Sequence, residues 1–267
     1  MTGLSGATIV VTGAARGLGR QLSLQAAEQG ARIVGWDLDG AGLDALGKEL
    51  GDQLVVTGVV DVTDRASIAA GVEAIPGGAD AVDIVVNNAG VVSGAKLQEL
   101  RPEQIERTFS VNVLALYWVT QAFLPSMLRR DRGHVVTMAS AAGLVGVAKQ
   151  TDYSASKHAA VGFMESLRAE LRRDKSHVRT TTVCPFYIDT GMFEGARSRI
   201  PWLLPVLHEP EAAAKILRAV ERDKALLRMP PFVSLLPVSR MLPVPLFDRL
   251  MDLLGVNRSM DDFVGRG

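Results

Sequence analysis

The sequence predicts a doubly wound α/β fold: a single domain with a parallel sheet between two helical layers, closed by a helical, proline-rich C-terminal cap over about residues 200–267. Three observations carry this. Short apolar runs bounded by Gly, Asp or Asn alternate with longer helical patterns. A glycine-rich turn follows the first of those runs. Prolines crowd the far end, where eight of the twelve lie beyond residue 200.

The apolar runs lie at 7–11, 32–36, 54–60, 84–86, 134–138 and 180–184 and read as strands buried on both faces. Helical patterns fill 18–29, 41–49, 64–74, 103–130 and 153–173. Strands alternating with helices imply right-handed crossovers and hence parallel pairing. Past about residue 200 the prolines suggest short helices broken by turns rather than further sheet.

Composition excludes several function classes. Lys+Arg and Asp+Glu both number 29, so no basic excess points to nucleic acid. Cys184 is the one cysteine, which rules out an intrachain disulfide and fits a reducing, cytoplasmic setting. The first residues show no signal-peptide pattern, and no run of 18 apolar residues suggests a membrane-spanning helix. No metal site is expected.

The first strand runs into Thr12-Gly13-Ala14-Ala15-Arg16-Gly17-Leu18-Gly19 and then a helix. Glycines there let the backbone turn tightly and approach a pyrophosphate, and the helix N-terminus offers free N–H groups to that anion. The arrangement is Rossmann-like, although the spacing is G-x3-G-x-G rather than G-x-G-x-x-G. Asp37 ends the second strand, placed to accept hydrogen bonds from an adenosine ribose. Its carboxylate repels a 2′-phosphate, which favours NAD over NADP; Arg16, in the glycine turn, is the argument for NADP. Asp61 and Val62 follow the third strand and are candidates for the adenine edge. Asn87, Asn88, Ala89 and Gly90 follow the fourth and are placed to brace the sheet beside the cofactor.

Ser140 follows the fifth strand, and Tyr153-Ser-Ala-Ser-Lys157 comes thirteen residues later. Tyr153 and Lys157 are four apart and share one helical face. A free tyrosine, with a pKa of about 10, is a poor base at neutral pH. Lowering it to about 7 takes roughly 4 kcal/mol, which a close ammonium and a cationic nicotinamide can supply together. Tyr153 would then exchange a proton with an alcohol while hydride moves, and Ser140 would hold the same oxygen.

These residues together resemble the short-chain dehydrogenase/reductase family over roughly residues 5–195. The matching positions are Thr12, Gly13, Gly17, Gly19, Asp37, Asp61, Asn87 to Gly90, Asn112, Ser140, Tyr153, Lys157, Pro185, Ile188 and Thr190. The resemblance implies that Tyr153 is the general acid/base, that Lys157 also holds the nicotinamide ribose, and that Asn112 holds a water in a proton relay. It also implies that Pro185, Ile188 and Thr190 touch the cofactor and that the protein is a homodimer or homotetramer. One departure stands out: the family usually has Pro-Gly after the sixth strand, and this chain has Pro185-Phe186. The phrase at 184–193 and the ending at 254–263 are similar to the branch of retinol and hydroxysteroid dehydrogenases. Members of that branch often carry an N-terminal membrane anchor, which this sequence is not expected to have.

Phe186, Met192, Phe193, Trp202 and Leu203 predict an apolar pocket for a hydrophobic alcohol or ketone. Residues 229–256 are rich in Leu, Val, Met, Phe and Pro and predict a pocket wall and subunit contact. A second reading is a peripheral lipid contact: from 215 to 249 there are seven basic residues (Lys215, Arg218, Arg222, Lys224, Arg228, Arg240, Arg249) against three acidic ones (Glu221, Asp223, Asp248). Two alternatives to an NAD-linked enzyme stay open: an NADP-linked carbonyl reductase, and a nucleotide-binding regulatory module without catalysis.

Overall fold

The computed structural model describes residues 1–265. Seven strands form one parallel sheet: β1 (Thr8–Thr12), β2 (Arg32–Asp37), β3 (Leu54–Val59), β4 (Ile84–Asn87), β5 (His134–Met138), β6 (Arg179–Pro185) and β7 (Leu226–Met229). Their order is β3-β2-β1-β4-β5-β6-β7. The helices are α1 (Gly17–Glu28), α2 (Gly40–Leu50), α3 (Arg65–Glu73), α4 (Pro102–Phe109), α5 (Ala115–Arg130), α6 (Thr151–Arg173), α7 (Glu209–Glu221), α8 (Leu236–Ser239) and α9 (Val244–Leu253).

β1 shows why helices cover both faces. Val10 lies in register with Val34 of β2 and Val85 of β4. Its neighbours Ile9 and Val11 point the other way, because side chains alternate along a strand. Ile9 and Val11 join Leu22 of α1, Leu46 of α2 and Ile216 of α7 in one core. Val10 joins Ile68 of α3, Phe123 of α5 and Met164 of α6 in the other. Trp36, 1% exposed, packs on Phe123 with ring centroids 5.6 Å apart.

The strand order reverses between β1 and β4, so their connections leave on opposite faces and open a crevice at the C-terminal strand ends. The candidate catalytic and cofactor residues lie at the last residue of a strand, in the loops beyond, or on the helices that follow.

Two expectations need correction. The sheet does not stop at residue 200: α7 crosses over and β7 pairs parallel with β6, Val183 lying opposite Leu227. The stretch 211–229 contains no proline, and its strong amphipathic pattern was masked by the proline clusters on either side. The helix expected over 103–130 is also not uniform, because Ser110–Leu114 forms a π turn between α4 and α5. The whole rod from Pro102 to Arg130 is long and apolar enough to cross a membrane by length and composition. Here Val119, Phe123 and Met127 are buried against the sheet.

Beyond β7, Val233, Leu236 of α8, Met251 of α9 and Val256 form a third core with Ala141, Val145 and Leu204. This C-terminal segment therefore lies over the loops that follow β5 and β6.

Candidate active site

A cavity of about 350 Å³ runs along the crevice. Gly13, Arg16, Leu18, Asp37, Asp61 and Val62 line one end, with Asn88, Ala89 and Gly90 beside them. Ser140, Tyr153 and Lys157 line its middle, and Phe186, Met192 and Phe193 its far end.

The cofactor end is shaped by backbone. Gly13 and Gly17 have φ of +68° and +57°, a left-handed conformation that favours glycine. Gly19 is required by packing instead: a Cβ there would sit 2.0 Å from the Gly13 carbonyl oxygen. Asn88 ties the turn to β4, its amide donating to the carbonyls of Thr12 (2.9 Å) and Gly13 (3.2 Å). Thr12 Oγ1 accepts from the backbone N–H groups of Asn88 and Ala89, both at 3.0 Å. Thr12, Gly17 and Gly19 thus support the turn from behind and do not line the cavity. The N-terminus of α1 has no side-chain cap, so its first N–H groups are available to an anion. Asp37 lies at the cavity edge, each carboxylate oxygen accepting one backbone N–H, from Ala15 (3.0 Å) and Asp39 (3.1 Å).

α6 carries Tyr153 and Lys157 into the cavity wall, 4% and 5% exposed. Lys157 Nζ donates to the Met138 carbonyl at 2.8 Å and stands 5.6 Å from the Tyr153 ring centroid. Burial pulls its ammonium down to about 8, against a smaller opposing pull from the Cys184 thiol. Burial pushes the Tyr153 hydroxyl above its ordinary value; Ser140 draws it part of the way back, and Tyr187 pushes it further up. Desolvation dominates among the protein's own groups, with Lys157 held on a carbonyl; the expected lowering joins the lysine with a cationic nicotinamide. Ser140 Oγ accepts from Ala142 N at 3.1 Å, which fixes the serine loop.

Asn112 sits in the π turn, 1% exposed and away from the cavity wall. Its amide donates to Val91 O (2.9 Å) and Ser156 Oγ (3.0 Å), and its carbonyl oxygen accepts from Val91 N (2.9 Å). The side chain joins the loop after β4 to α6.

Pro185, Ile188 and Thr190 lie along the cavity after β6. Phe193 packs edge-on against Tyr153, centroids 5.6 Å apart. Trp202 is a correction: it is 83% exposed and outside the cavity, and the half-buried Leu203 lies outside it too. A turn closed by Leu203 N and Leu204 N on the Ile200 carbonyl sends Leu204 inward in their place. Gln150 and Tyr187 also line the wall and escaped sequence reading, whereas Val233, Leu236 and Val256 belong to the segment 229–256 expected to form it. Tyr187 was within reach, since it adjoins Phe186 in the phrase already singled out. The others contact the cavity only because segments distant in sequence converge.

A family model described as short chain dehydrogenase matches residues 7–201. The chain belongs to the short-chain dehydrogenase/reductase family. It is 38% identical to short-chain dehydrogenase/reductase family 16C member 6 of Bos taurus, over 98% of this chain and 85% of that protein. It is 38% identical to epidermal retinol dehydrogenase 2 of Homo sapiens (98% and 86% covered) and 36% identical to 17-beta-hydroxysteroid dehydrogenase 13 of Mus musculus (87% and 76%). Among solved structures, a short-chain dehydrogenase/reductase from Burkholderia phymatum in complex with NAD superposes with a TM-score of 0.81 at 26% identity, covering 92% of this chain and 96% of that one. A serine dehydrogenase complexed with NADP+ gives 0.73 at 25% identity, covering 83% and 94%. The protein is thus an oxidoreductase that interconverts an alcohol and its carbonyl.

Proposed function

We propose that this enzyme uses NAD to interconvert a hydrophobic alcohol, retinol-like, steroid-like or long-chain, and its carbonyl. The observation that supports it is one continuous cavity: Asp37 at one end, Ser140, Tyr153 and Lys157 in the middle, aromatic and aliphatic side chains at the other. The residues fit a dinucleotide, with a glycine turn closed to any Cβ at Gly19, an uncapped helix N-terminus and an acidic residue at the edge. Such a cofactor, when bound, supplies the hydride acceptor or donor and a positive charge. Gly13, Arg16 and Leu18 would face its phosphates, Asp37 its ribose, and Asp61 and Val62 its adenine.

The chain's own part is proton handling and exclusion of water. Ser140 orients the substrate oxygen, and Tyr153 Oη exchanges the proton with it. The hydroxyl's upward shift keeps Tyr153 protonated and makes it a weaker acid, so its phenolate forms only with further positive charge beside it. Lys157 stands beside it, its Nζ 5.6 Å from the Tyr153 ring centroid and its ammonium drawn down to about 8 by burial. Phe186, Met192, Phe193 and Leu204 keep the reacting carbon dry. Tyr153→Phe should lower turnover by about a thousandfold while NADH affinity stays near wild type. Retained activity would refute the proton role; tighter binding of NADPH than of NADH would refute the reading of Asp37 in favour of the NADP-linked alternative.

A peripheral lipid contact through the C-terminal segment is part of this proposal. Trp202 (83%) and Met241 (84%) are largely exposed, with Leu235, Val238, Val244, Leu246 and Leu253 also facing outward and Arg240 and Arg249 exposed among them. A crest that combines apolar side chains with arginines suits an anionic lipid surface. Self-association would use a different strip, Leu114, Tyr117 and Leu128. Co-sedimentation with phosphatidylserine-containing vesicles at low salt is expected, weakened by Trp202→Ser with Met241→Ser; no co-sedimentation would refute the contact.

A further inference from the structure

The substrate end of the cavity is apolar except at one place. Ala142, Val145, Val147, Phe186, Leu204 and Val256 offer no hydrogen bond, whereas Gln150 and Tyr187 do. Gln150 is 1% exposed and three residues before Tyr153. Its amide nitrogen lies 3.2 Å from Tyr187 Oη, which lies 2.8 Å from Ser259 Oγ, which lies 2.7 Å from the Val256 carbonyl oxygen.

The proton count fixes the direction of this chain. Val256 O can only accept, so the Ser259 proton goes there. Ser259 Oγ then accepts, so the Tyr187 proton goes to Ser259. Tyr187 Oη must therefore accept from Gln150, which places the NH2 of the amide against Tyr187 and leaves Oε1 as the free end. Gln150 Oε1 has no partner among the described residues. It is also absent from the side-chain atoms that are both sealed and unpartnered, which are Arg130 Nε, Asp152 Oδ1 and Arg228 Nε. An acceptor with no protein partner thus reaches open space, on a residue that borders the cavity.

We propose that Gln150 is a specificity residue: its amide oxygen accepts a hydrogen bond from a second hydroxyl on the substrate, remote from the carbon that reacts. An apolar pocket with one fixed acceptor discriminates strongly, because a substrate lacking the donor leaves a desolvated oxygen unpaired. The network explains how the acceptor is held. Tyr187 stands on the loop after β6 and Ser259 near the C-terminus, so three separate segments must dock to orient one amide. The proposal rests on the reading that the cavity takes a hydrophobic alcohol.

The test uses the intact enzyme with NAD and a set sharing one reacting group: 1-dodecanol and 1,6-, 1,8-, 1,10- and 1,12-dodecanediol. Wild type and Gln150→Leu are compared by kcat/KM on each. For at least one diol, the ratio of wild type to variant should exceed that for 1-dodecanol by about tenfold or more. Gln150→Leu should lose less on 1-dodecanol than on that diol, so the readout is the ratio between substrates and not the basal rate. Gln150→Glu, which retains an acceptor, should preserve the preference for the diol. If wild type turns over these alcohols but the two ratios agree for every diol, Gln150 does not read a hydroxyl while the hydrophobic-alcohol reading stands. If neither dodecanol nor any diol is turned over or stabilises the protein to heat, both fall together.

Discussion

The two ends of the cavity are built by different means. At the cofactor end, positions are set by backbone: the glycine turn, the carbonyls of Thr12 and Gly13, and Asn88 bonded to both. At the substrate end they are set by side chains from four regions of sequence, around 141–150, 186–193, 204 and 233–256. A backbone-built site tolerates few residue types because the close approaches themselves forbid a Cβ. A side-chain-built site needs only apolar volume and a few placed polar groups, so its residue identities are free to vary. One end therefore tolerates little change in residue type, and the other much.

The largest expected effect tests that contrast at its tightest point. Gly19→Ala puts a Cβ 2.0 Å from the Gly13 oxygen and 2.6 Å from Asn88 Nδ2, so the turn must move. NADH affinity should fall by about a hundredfold, or roughly 3 kcal/mol. A fluorescence titration of NADH, with circular dichroism to show that the chain still folds, measures this. Affinity within about threefold of wild type would mean that the turn is softer than its packing implies.

This contrast also explains what sequence could reveal. Gly13, Gly17, Gly19, Asp37 and Asn88 are legible because local backbone geometry or one strand-end position dictates each residue type. Tyr153 and Lys157 are legible because the helix period alone puts them together. Leu204 is not, and Val233, Leu236 and Val256 are legible only as part of the segment 229–256, since nothing local distinguishes a leucine facing the cavity from one facing the core. Trp202 shows the converse failure: an aromatic near the pocket segment points outward because a turn at Ile200 reverses the chain. β7 was hidden for a third reason. Prolines act only locally, so the clusters before and after it say nothing about the proline-free stretch 211–229 that leads into it.

The end of the sheet opposite the cavity gives the next largest effect. His134 opens β5 and is fully buried, with Nδ1 2.9 Å from Thr2 Oγ1 and Nε2 2.8 Å from Thr181 Oγ1. Burial lowers it from the ordinary 6.5 to about 4; Asp223 opposes this and Arg179 reinforces it. Between those values the unfolded chain binds a proton that the folded chain refuses. Stability is therefore complete above about pH 6.5 and lost as pH falls toward 4, by up to roughly 3 kcal/mol. The Tm measured from pH 7.5 to 4.5 should decline, and His134→Gln should flatten that decline at the cost of a lower starting Tm. Parallel curves would assign the acid sensitivity to other groups and uncouple the bottom of the sheet from it.

The smallest effect falls where the two building modes meet. Gly143 follows the serine loop, and a Cβ there would lie 2.5 Å from the Lys157 carbonyl oxygen and 3.2 Å from a Val161 methyl. The loop bearing Ser140 and the helix bearing Tyr153 are thus held at glycine distance by a residue outside the catalytic set. Gly143→Ala should push Ser140 away from Tyr153 by a fraction of an ångström. The consequence should appear in kcat, about tenfold lower, with KM for a hydrophobic alcohol and affinity for NADH little changed. A matched rise in KM would show instead that the loop shapes the substrate wall. An unchanged kcat would show that the serine follows the helix when the loop moves, leaving only the cofactor end with rigid tolerances.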